Sequence, residues 1–313
     1  MSESASNGDG KRERVLVTGG TRGIGKAICR EFARAGFDIA FTGRTLHEGD
    51  GREQDEHGNA SPLPGSLETT VSEVEALGAR ALPIQLDLLD GASVECGAAR
   101  VLEEWGGVDV LVNNAMYEMG QYTNAWIKDT PMEEFAAKVQ ANFLAPIALI
   151  KHCLPGMLER GAGRVINLST RHNYQKQGGP PGAGGAGVSY NCSKAACGKI
   201  ADGLAAEHGR DGILSFDLDP GPVMTERFHT QGHRLGYPKE LFCPVEVPAM
   251  AALWLATAEE ATAFNGQHFM AQEFVRQREL WPNWESILPM NAGWSPTAIL
   301  DWREPGRRQY VKG

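Results

Sequence analysis

The octapeptide TGGTRGIG at residues 18–25 decides the fold class of this chain. It follows RVLV at 14–17, a short apolar run rich in β-branched residues. It opens the segment GKAICREFARAG, whose larger apolar residues recur at helical spacing. A glycine turn between a strand and a helix predicts a phosphate-binding loop, because glycine allows a close backbone approach and the amides of a helix N-terminus face an anion.

The strand–helix unit repeats along the chain. Further strands are predicted at FDIAFTG, ARALPIQLD, VDVLVNN, GRVINLS, GILSFDLDPG and GQHFMA, with helical segments between most of them. Alternating strands and helices predict a parallel sheet that is covered on both faces, and right-handed crossovers make it doubly wound. The fold class is therefore α/β: a Rossmann-like, doubly wound, mostly parallel seven-stranded sheet. Pro155 is expected to kink or end the helical segment at 131–160.

One domain with additions accounts for the 313 residues. We expect a disordered lead-in at 1–13 and a single catalytic domain at 14–274, interrupted by polar or Gly/Pro-rich loops at 45–66 and 171–187. The extension at 275–313 is expected to pack on an apolar surface, because it carries four of the seven tryptophans: Trp281, Trp284, Trp294 and Trp302.

Composition narrows the function classes. No run approaches the roughly 18–20 apolar residues that a membrane helix needs, so no membrane partner is expected. The net charge of −9 argues against a general nucleic-acid binder. The six cysteines form no C-x-x-C pair, and the N-terminal segment has no apolar core typical of an export signal, so reduced thiols and a cytoplasmic location are expected.

Tyr190 and Lys194 stand four positions apart in GVSYNCSK, so on a helix they share one face. An ammonium beside a phenol favours the phenolate and makes the group usable as an acid or base. On these two residues alone, a solvated helix face is the favoured interpretation. Cys192, between them, is expected to be a small packed residue.

The motifs occur in an order that resembles the short-chain dehydrogenase/reductase family. They are TGGTRGIG, NNA at 113–115, Asn142, NLST, Tyr190 with Lys194, and PGPVMTE at 220–226. The resemblance covers roughly residues 14–227. It implies that Tyr190 is the proton donor or acceptor, that Lys194 lowers its pKa and holds the nicotinamide ribose, and that Asn142 completes a relay through water. No metal is implied.

The resemblance also implies a hydroxyl beside the tyrosine. Aligning GRVINLST from its Gly-Arg places Thr170 there, with Ser169 one position earlier, and consecutive strand residues point to opposite faces. Thr170 is therefore favoured and Ser169 is the alternative. The interval to Tyr190 is longer than in the family pattern, so Arg171, His172 and Tyr174 are either substrate contacts or part of a solvated loop.

Cofactor choice depends on the end of the second strand, FTGRT, which offers Arg44 and no carboxylate. Arg44 can pair with a 2'-phosphate, with Arg22 beside it, unless Arg44 is simply solvated. NADP(H) is therefore the preferred cofactor, with NAD(H) possible. The predicted cofactor-binding residues are Gly19, Thr21, Arg22, Gly23, Ile24, Gly25, Arg44, Asp87, Leu88, Asn113, Ala115, Lys194, Pro220, Gly221, Val223 and Thr225.

These observations predict an NADPH-dependent oxidoreductase. Its small-molecule substrate is a carbonyl compound or an alcohol, and the reaction interconverts a ketone and a secondary alcohol. The alternatives are an NAD-dependent dehydrogenase of the same family and a catalytically silent, cofactor-sensing binding protein. A homodimer or homotetramer is expected through the helix that carries Tyr190. Met116 after NNA and the strand ending MAQEFV depart from the family pattern, and the extension at 275–313 is expected to help wall the substrate pocket.

Overall fold

The computed structural model describes residues 12–54, 60–117, 125–173, 179–181, 185–231, 242–282, 284, 299–301 and 309–311. Its strands are β1 Arg14–Val17, β2 Asp38–Gly43, β3 Arg52–Gln54, β4 Ala60–Pro62, β5 Ala81–Gln85, β6 Val110–Asn113, β7 Gly163–Leu168, β8 Ile213–Asp219, β9 His268–Met270, β10 Ile299–Asp301 and β11 Gln309–Val311. Its helices are α1 Gly23–Arg34, α2 Leu67–Ala76, α3 Gly91–Trp105, α4 Met132–Val139, α5 Ala145–Arg160, α6 Val188–His208, α7 Glu226–Gln231, α8 Glu246–Thr257 and α9 Ala271–Gln277.

The main sheet has seven strands in the order β5-β2-β1-β6-β7-β8-β9, and every pairing in it is parallel. The pleat divides the core into two. Val15 and Val17 pack on the side of α1 and α8, whereas Leu16 packs on the side of α3, α5 and α6. The predicted Rossmann-like sheet with helices on both faces is thus confirmed.

Parallel strands end at one edge of a sheet, so the segments that follow β1, β6, β7 and β8 come together. These segments are the glycine turn, NNA, the strand-end hydroxyls and PGPVMTE. The topology therefore assembles motifs that are distant in sequence.

The helical segment around Pro155 differs from expectation. A π turn at Gln140–Leu144 joins α4 to α5, and α5 continues past Pro155 to Arg160, so the prediction of an early end is wrong. Proline has no backbone N–H, so the Lys151 carbonyl, four residues before Pro155, lacks its usual helical donor. Both residues are exposed, so water can donate to that carbonyl instead.

The whole run Met132–Arg160 is also long and apolar enough to cross a membrane by length and composition alone, which the sequence analysis did not anticipate. Core helices of folded domains meet the same criterion. Leu149, Ile150 and Cys153 of this run lie in the buried core beside the sheet.

The additions to the sheet are more ordered than predicted. The insertion at 45–66 contains an antiparallel ribbon of β3 and β4, rather than loop alone. In the loop at 171–187 a 3₁₀ turn covers Arg171–Asn173, whereas the His172 side chain and Tyr174 lie outside the described part.

Several described contacts lie close to the predicted domain boundaries. Arg12 already donates a hydrogen bond to the Gly78 carbonyl, while residues 1–11 lie outside the described part. The boundary at 274 falls inside α9, where Val275 is buried. Trp281 and Trp284 pack against the core on the α8 side, and Trp294 and Trp302 are not among the described residues. A role of the extension in the substrate pocket stays a prediction.

Candidate active site

The glycine turn after β1 leaves no room for side chains at two positions. Gly19 has φ +70°, and a Cβ there would meet Ala115 Cβ at 2.9 Å. A Cβ on Gly25 would lie 2.1 Å from the Gly19 carbonyl oxygen. The turn is held from the β6 side, because Thr18 Oγ1 accepts hydrogen bonds from the amides of Asn114 at 3.0 Å and Ala115 at 2.9 Å. This backbone cradle at the start of α1 fits a dinucleotide phosphate.

The neighbouring predicted residues contribute in different ways. Thr21 packs closely on the end of β2, because a Cβ on Gly43 would lie 2.3 Å from Thr21 Cγ2 and one of the two would have to shift. The side chains of Ile24 and Leu88 are partly buried and pack against the two cores. Asn113 is buried and donates a 2.9 Å hydrogen bond to Asn167 Oδ1, so its side chain joins β6 to β7.

Arginines gather at the end of β2. Arg22 Nη2 donates to Thr45 Oγ1 at 2.9 Å and to the Gly65 carbonyl at 2.6 Å. Burial, followed by the charge of Arg227, lowers the pKa of Arg22, and Arg44 adds to this effect. The Arg44 side chain is 63% exposed and lies 4.0 Å from Asp87 Oδ2. Cations therefore flank the place where a ribose 2'-substituent would lie in the predicted site.

The loop after β8 is anchored by two residues that the sequence analysis did not select. Asp219 Oδ1 accepts from the Gly221 amide at 2.8 Å, and its Oδ2 accepts from the Arg171 amide at 3.1 Å and from Arg171 Nε at 3.0 Å. Gln272 Nε2 donates to the Pro222 carbonyl at 2.7 Å. Asp219 thus connects Pro220 and Gly221 to the residue that follows Thr170. The position of Asp219 at the end of a predicted strand was the one feature of the sequence that could have marked it as a site residue.

Glu226 is a third residue missed from the sequence. Its Oε2 accepts a 2.9 Å hydrogen bond from the Gly23 amide, at the N-terminus of α1. Thr225 lies beside the same glycine, since a Cβ on Gly23 would be 3.3 Å from Thr225 Cγ2. The carboxylate therefore uses a backbone amide of the predicted phosphate loop. Val223, two residues before Thr225, is buried and forms a β-bridge with Cys243.

Tyr190 and Lys194 lie in the first two turns of α6. Lys194 is 2% exposed, and its Nζ donates a 2.7 Å hydrogen bond to the Leu168 carbonyl at the end of β7. Tyr190 is partly buried, and its carbonyl accepts a 2.9 Å hydrogen bond from Ser193 Oγ. The predicted pair is therefore on one helix at the carboxyl edge of the sheet. Cys192 is exposed, so its expected packing role is wrong.

Asn142 lies in the π turn and is 2% exposed. Its Oδ1 accepts from the Tyr117 amide at 2.7 Å, while its Nδ2 donates to the Tyr117 carbonyl at 3.1 Å and to Ser193 Oγ at 3.1 Å. Its side chain thus joins the loop after β6 to α6.

The two strand-end hydroxyls have different surroundings. Val165 packs with residues of α6, whereas Ile166 and Leu168 pack on the other face, so continued alternation places Ser169 on the α6 side. The Ser169 amide donates to the Leu218 carbonyl at 2.8 Å, which extends the ladder, and its Oγ accepts from Asn173 Nδ2. Thr170 is 8% exposed and directly precedes the 3₁₀ turn, where alternation ends. Both stay candidates.

Among the residues that the structure describes, no group of three or more His, Cys, Asp or Glu side chains could hold a metal ion.

Comparisons with known proteins agree with this geometry. The family model described as short chain dehydrogenase matches residues 13–63 and 59–235. A short chain dehydrogenase of Pseudocercospora fijiensis is 34% identical over 215 residues, covering 68% of this chain and 60% of that protein. Gluconate 5-dehydrogenase of Gluconobacter oxydans is 29% identical over 222 residues, covering 68% of this chain and 72% of its own.

Other matches cover less of the relative or show the fold alone. Hydroxysteroid dehydrogenase-like protein 2 of Xenopus tropicalis is 31% identical over 156 residues, covering 50% of this chain and 34% of that protein. A solved short-chain type dehydrogenase/reductase from Mycobacterium marinum superposes with a TM-score of 0.67 at 23% identity, covering 82% of this chain and 93% of its own. From the family-model match, the chain belongs to the short-chain dehydrogenase family.

Proposed function

We propose that this protein is an NADPH-dependent oxidoreductase that interconverts a ketone and a secondary alcohol. One observation carries the proposal. Tyr190 stands one turn before a buried Lys194, whose ammonium is fixed on the Leu168 carbonyl, next to two strand-end hydroxyls. This arrangement supports the assignment of an acid, a cation and a hydrogen-bond donor to one edge of the sheet.

The chemistry follows from where charge develops. NADPH, when bound, supplies the hydride. As the carbonyl carbon gains that hydride its oxygen becomes negative, and Tyr190 Oη transfers a proton to it. The Lys194 ammonium stabilises the phenolate that remains, and a hydroxyl of Thr170 or Ser169 donates a hydrogen bond to the same oxygen. In the reverse direction Tyr190 accepts the proton of the alcohol.

The glycine cradle and the arginines support the choice of cofactor. Gly19 and Gly25 leave space that a Cβ would fill, which suits close approach of a dinucleotide phosphate. Arg22 and Arg44 are available to pair with a 2'-phosphate, and the strand β2 ends in Gly43 without a carboxylate. The NAD-dependent alternative is favoured by one contact, because Asp87 lies 4.0 Å from Arg44 and competes for its charge.

We also propose a location and an assembly for the protein. We place the protein in the cytoplasm, supported by six free thiols. We propose a homodimer or homotetramer that uses the helices around α6, supported by exposed apolar side chains at Val139 and Leu144 in the run that packs beside α6. Light scattering of the purified protein tests the assembly.

The function is tested by nicotinamide absorbance at 340 nm with a panel of ketones, secondary alcohols and gluconate. The panel includes gluconate because one relative is named for it. Turnover of a ketone with NADPH, slower with NADH, is expected. Tight NADPH binding without turnover of any compound would instead favour a silent cofactor-binding protein.

A further inference from the structure

A buried ion pair lies one helical turn before Asn142. Lys138 is fully buried, and its Nζ donates a 2.6 Å hydrogen bond to Oε1 of Glu134, which is 9% exposed. Two charges taken out of water contribute little net stability even when they are well paired, because desolvation opposes their attraction. A pair at this place is therefore better explained by a role in positioning neighbouring groups than by a gain in stability.

The pair lies on the same helical face as the predicted site residue. Glu134, Lys138 and Asn142 recur every four positions, and α4 packs against α6. On this face the pair contacts Tyr117, the second residue after NNA. Tyr117 Oη donates to Glu134 Oε2 at 3.3 Å, and Lys138 Nζ lies 6.0 Å from the centre of the Tyr117 ring, within the range of a cation–π contact.

The Glu134 carboxylate therefore accepts one hydrogen bond on each oxygen, from Lys138 Nζ on Oε1 and from Tyr117 Oη on Oε2. Burial, followed by the charge of Glu134, raises the pKa of Tyr117. Its hydroxyl thus stays protonated near neutral pH and remains a donor. The acceptor is a carboxylate, and hydrogen bonds to charged acceptors are stronger than those between neutral groups.

From Tyr117 the contacts continue to the helix that carries the predicted acid. The Tyr117 amide donates to Asn142 Oδ1, and Asn142 Nδ2 donates to Ser193 Oγ. Ser193 is fully buried and donates in turn to the main-chain carbonyl of Tyr190. These contacts therefore form one continuous series, which passes through Tyr117 from its hydroxyl to its amide and is buried except at the partly buried Tyr117 and Tyr190. Its members are Lys138, Glu134, Tyr117, Asn142, Ser193 and Tyr190.

We propose that Glu134 and Lys138 are positioning residues, which act through Tyr117 to fix the Asn142 side chain against Ser193 and hold the backbone of Tyr190 in place for proton transfer. The consequence for turnover rests on the proposed function, whereas the consequence for the Tyr117 amide does not. Small displacements of a reacting group are costly, since a shift of about 1 Å can lower a rate by roughly 100-fold.

Two variants and their combination test this proposal. Lys138→Met removes the ammonium and keeps a long side chain, and Tyr117→Phe removes only the hydroxyl. Lys128→Met is the matched control, because Lys128 is exposed and, within the described part of the chain, pairs with the adjacent Asp129. Hydrogen exchange of the Tyr117 amide, NADPH affinity, melting temperature and ketone turnover are measured for each.

Each single variant is expected to speed exchange of the Tyr117 amide about 10-fold and to lower kcat by a similar factor, with NADPH affinity within about twofold of the wild type. Because both act through one series of contacts, the double variant should be no worse than the more impaired single one. Lys128→Met should resemble the wild type throughout.

Unchanged exchange at the Tyr117 amide in a folded Tyr117→Phe protein would overturn the proposal, as would losses that multiply in the double variant. Tyr117→Phe keeps the ring and serves as the deciding variant if Lys138→Met does not fold. If the wild type reduces no ketone, the proposed function fails, but the exchange rates still decide whether the pair positions Tyr117.

Discussion

Lys194 Nζ donates a 2.7 Å hydrogen bond to the carbonyl of Leu168, and this contact joins the helix of Tyr190 to the strand that ends in Ser169 and Thr170. The ammonium is 2% exposed, so its charge acts with little screening by solvent. The contact therefore fixes the cation at the edge where the proposed chemistry takes place.

Loss of that cation should impair both binding and chemistry. In Lys194→Met the phenolate of Tyr190 loses its stabilising charge, and we expect kcat to fall by about 10²–10⁴-fold, the range for losing acid–base assistance. NADPH affinity should also fall, because the resemblance assigns the ribose contact to Lys194. Steady-state kinetics and fluorescence titration measure the two effects. Cys192→Ser is the control, since Cys192 is exposed on the same helix turn, and an equal loss there would point to a general disturbance of α6.

The two hydroxyls can be separated by single substitutions. The family alignment favours Thr170, whereas strand alternation places Ser169 on the side of α6. Following the alignment, we expect Thr170→Ala to lower kcat by about 10²–10³-fold, the range for losing one donor to a developing oxyanion. Ser169→Ala should change kcat much less, because its Oγ already accepts a hydrogen bond from Asn173. The reverse order would assign the role to Ser169.

Cofactor preference should depend on Arg44. Removing a charge-assisted pair with a 2'-phosphate costs roughly 1.5–3 kcal/mol, or about 10- to 150-fold in affinity. Arg44→Gln should therefore weaken NADPH binding by that factor and leave NADH binding nearly unchanged. Arg52→Gln, on the inserted ribbon, is the matched control. Equal losses for both cofactors would mean that Arg44 has a structural role only.

Glu226 should oppose cofactor binding. Its carboxylate accepts from the Gly23 amide at 2.9 Å, where the phosphate loop would offer that amide to a dinucleotide. An anion at a helix N-terminus is stabilised by about 0.3–1 kcal/mol, so removing this competitor in Glu226→Gln should tighten NADPH binding roughly 2- to 5-fold. Isothermal titration at low salt measures the change. Weaker binding in Glu226→Gln would show that the carboxylate supports the loop instead.

The sequence predicted those parts of the site that depend on local pattern. Gly19 and Gly25 were selected for backbone approach, and both stand where a Cβ would clash. Alternating strands and helices predicted the parallel sheet, and in the structure Lys194 contacts the carboxyl end of one of its strands, β7.

What could not be predicted depends on contacts between distant segments. Glu226 meets Gly23 across 203 positions, and Asp219 meets Arg171 across 48. The burial of Lys138 could not be predicted, because a lysine four positions after Glu134 is typical of an exposed helix face. In the structure Lys138 is fully buried. The π turn at Asn142 likewise has no local sequence mark.

The most direct test of the central claim is the rate of NADPH-dependent ketone reduction by Tyr190→Phe, followed at 340 nm beside the wild type. The variant lacks only the hydroxyl that we propose as the proton donor. The account predicts that kcat falls by at least about 10²-fold while NADPH affinity stays within about twofold of the wild type. Turnover comparable to that of the wild type would contradict the assignment of Tyr190 as the acid.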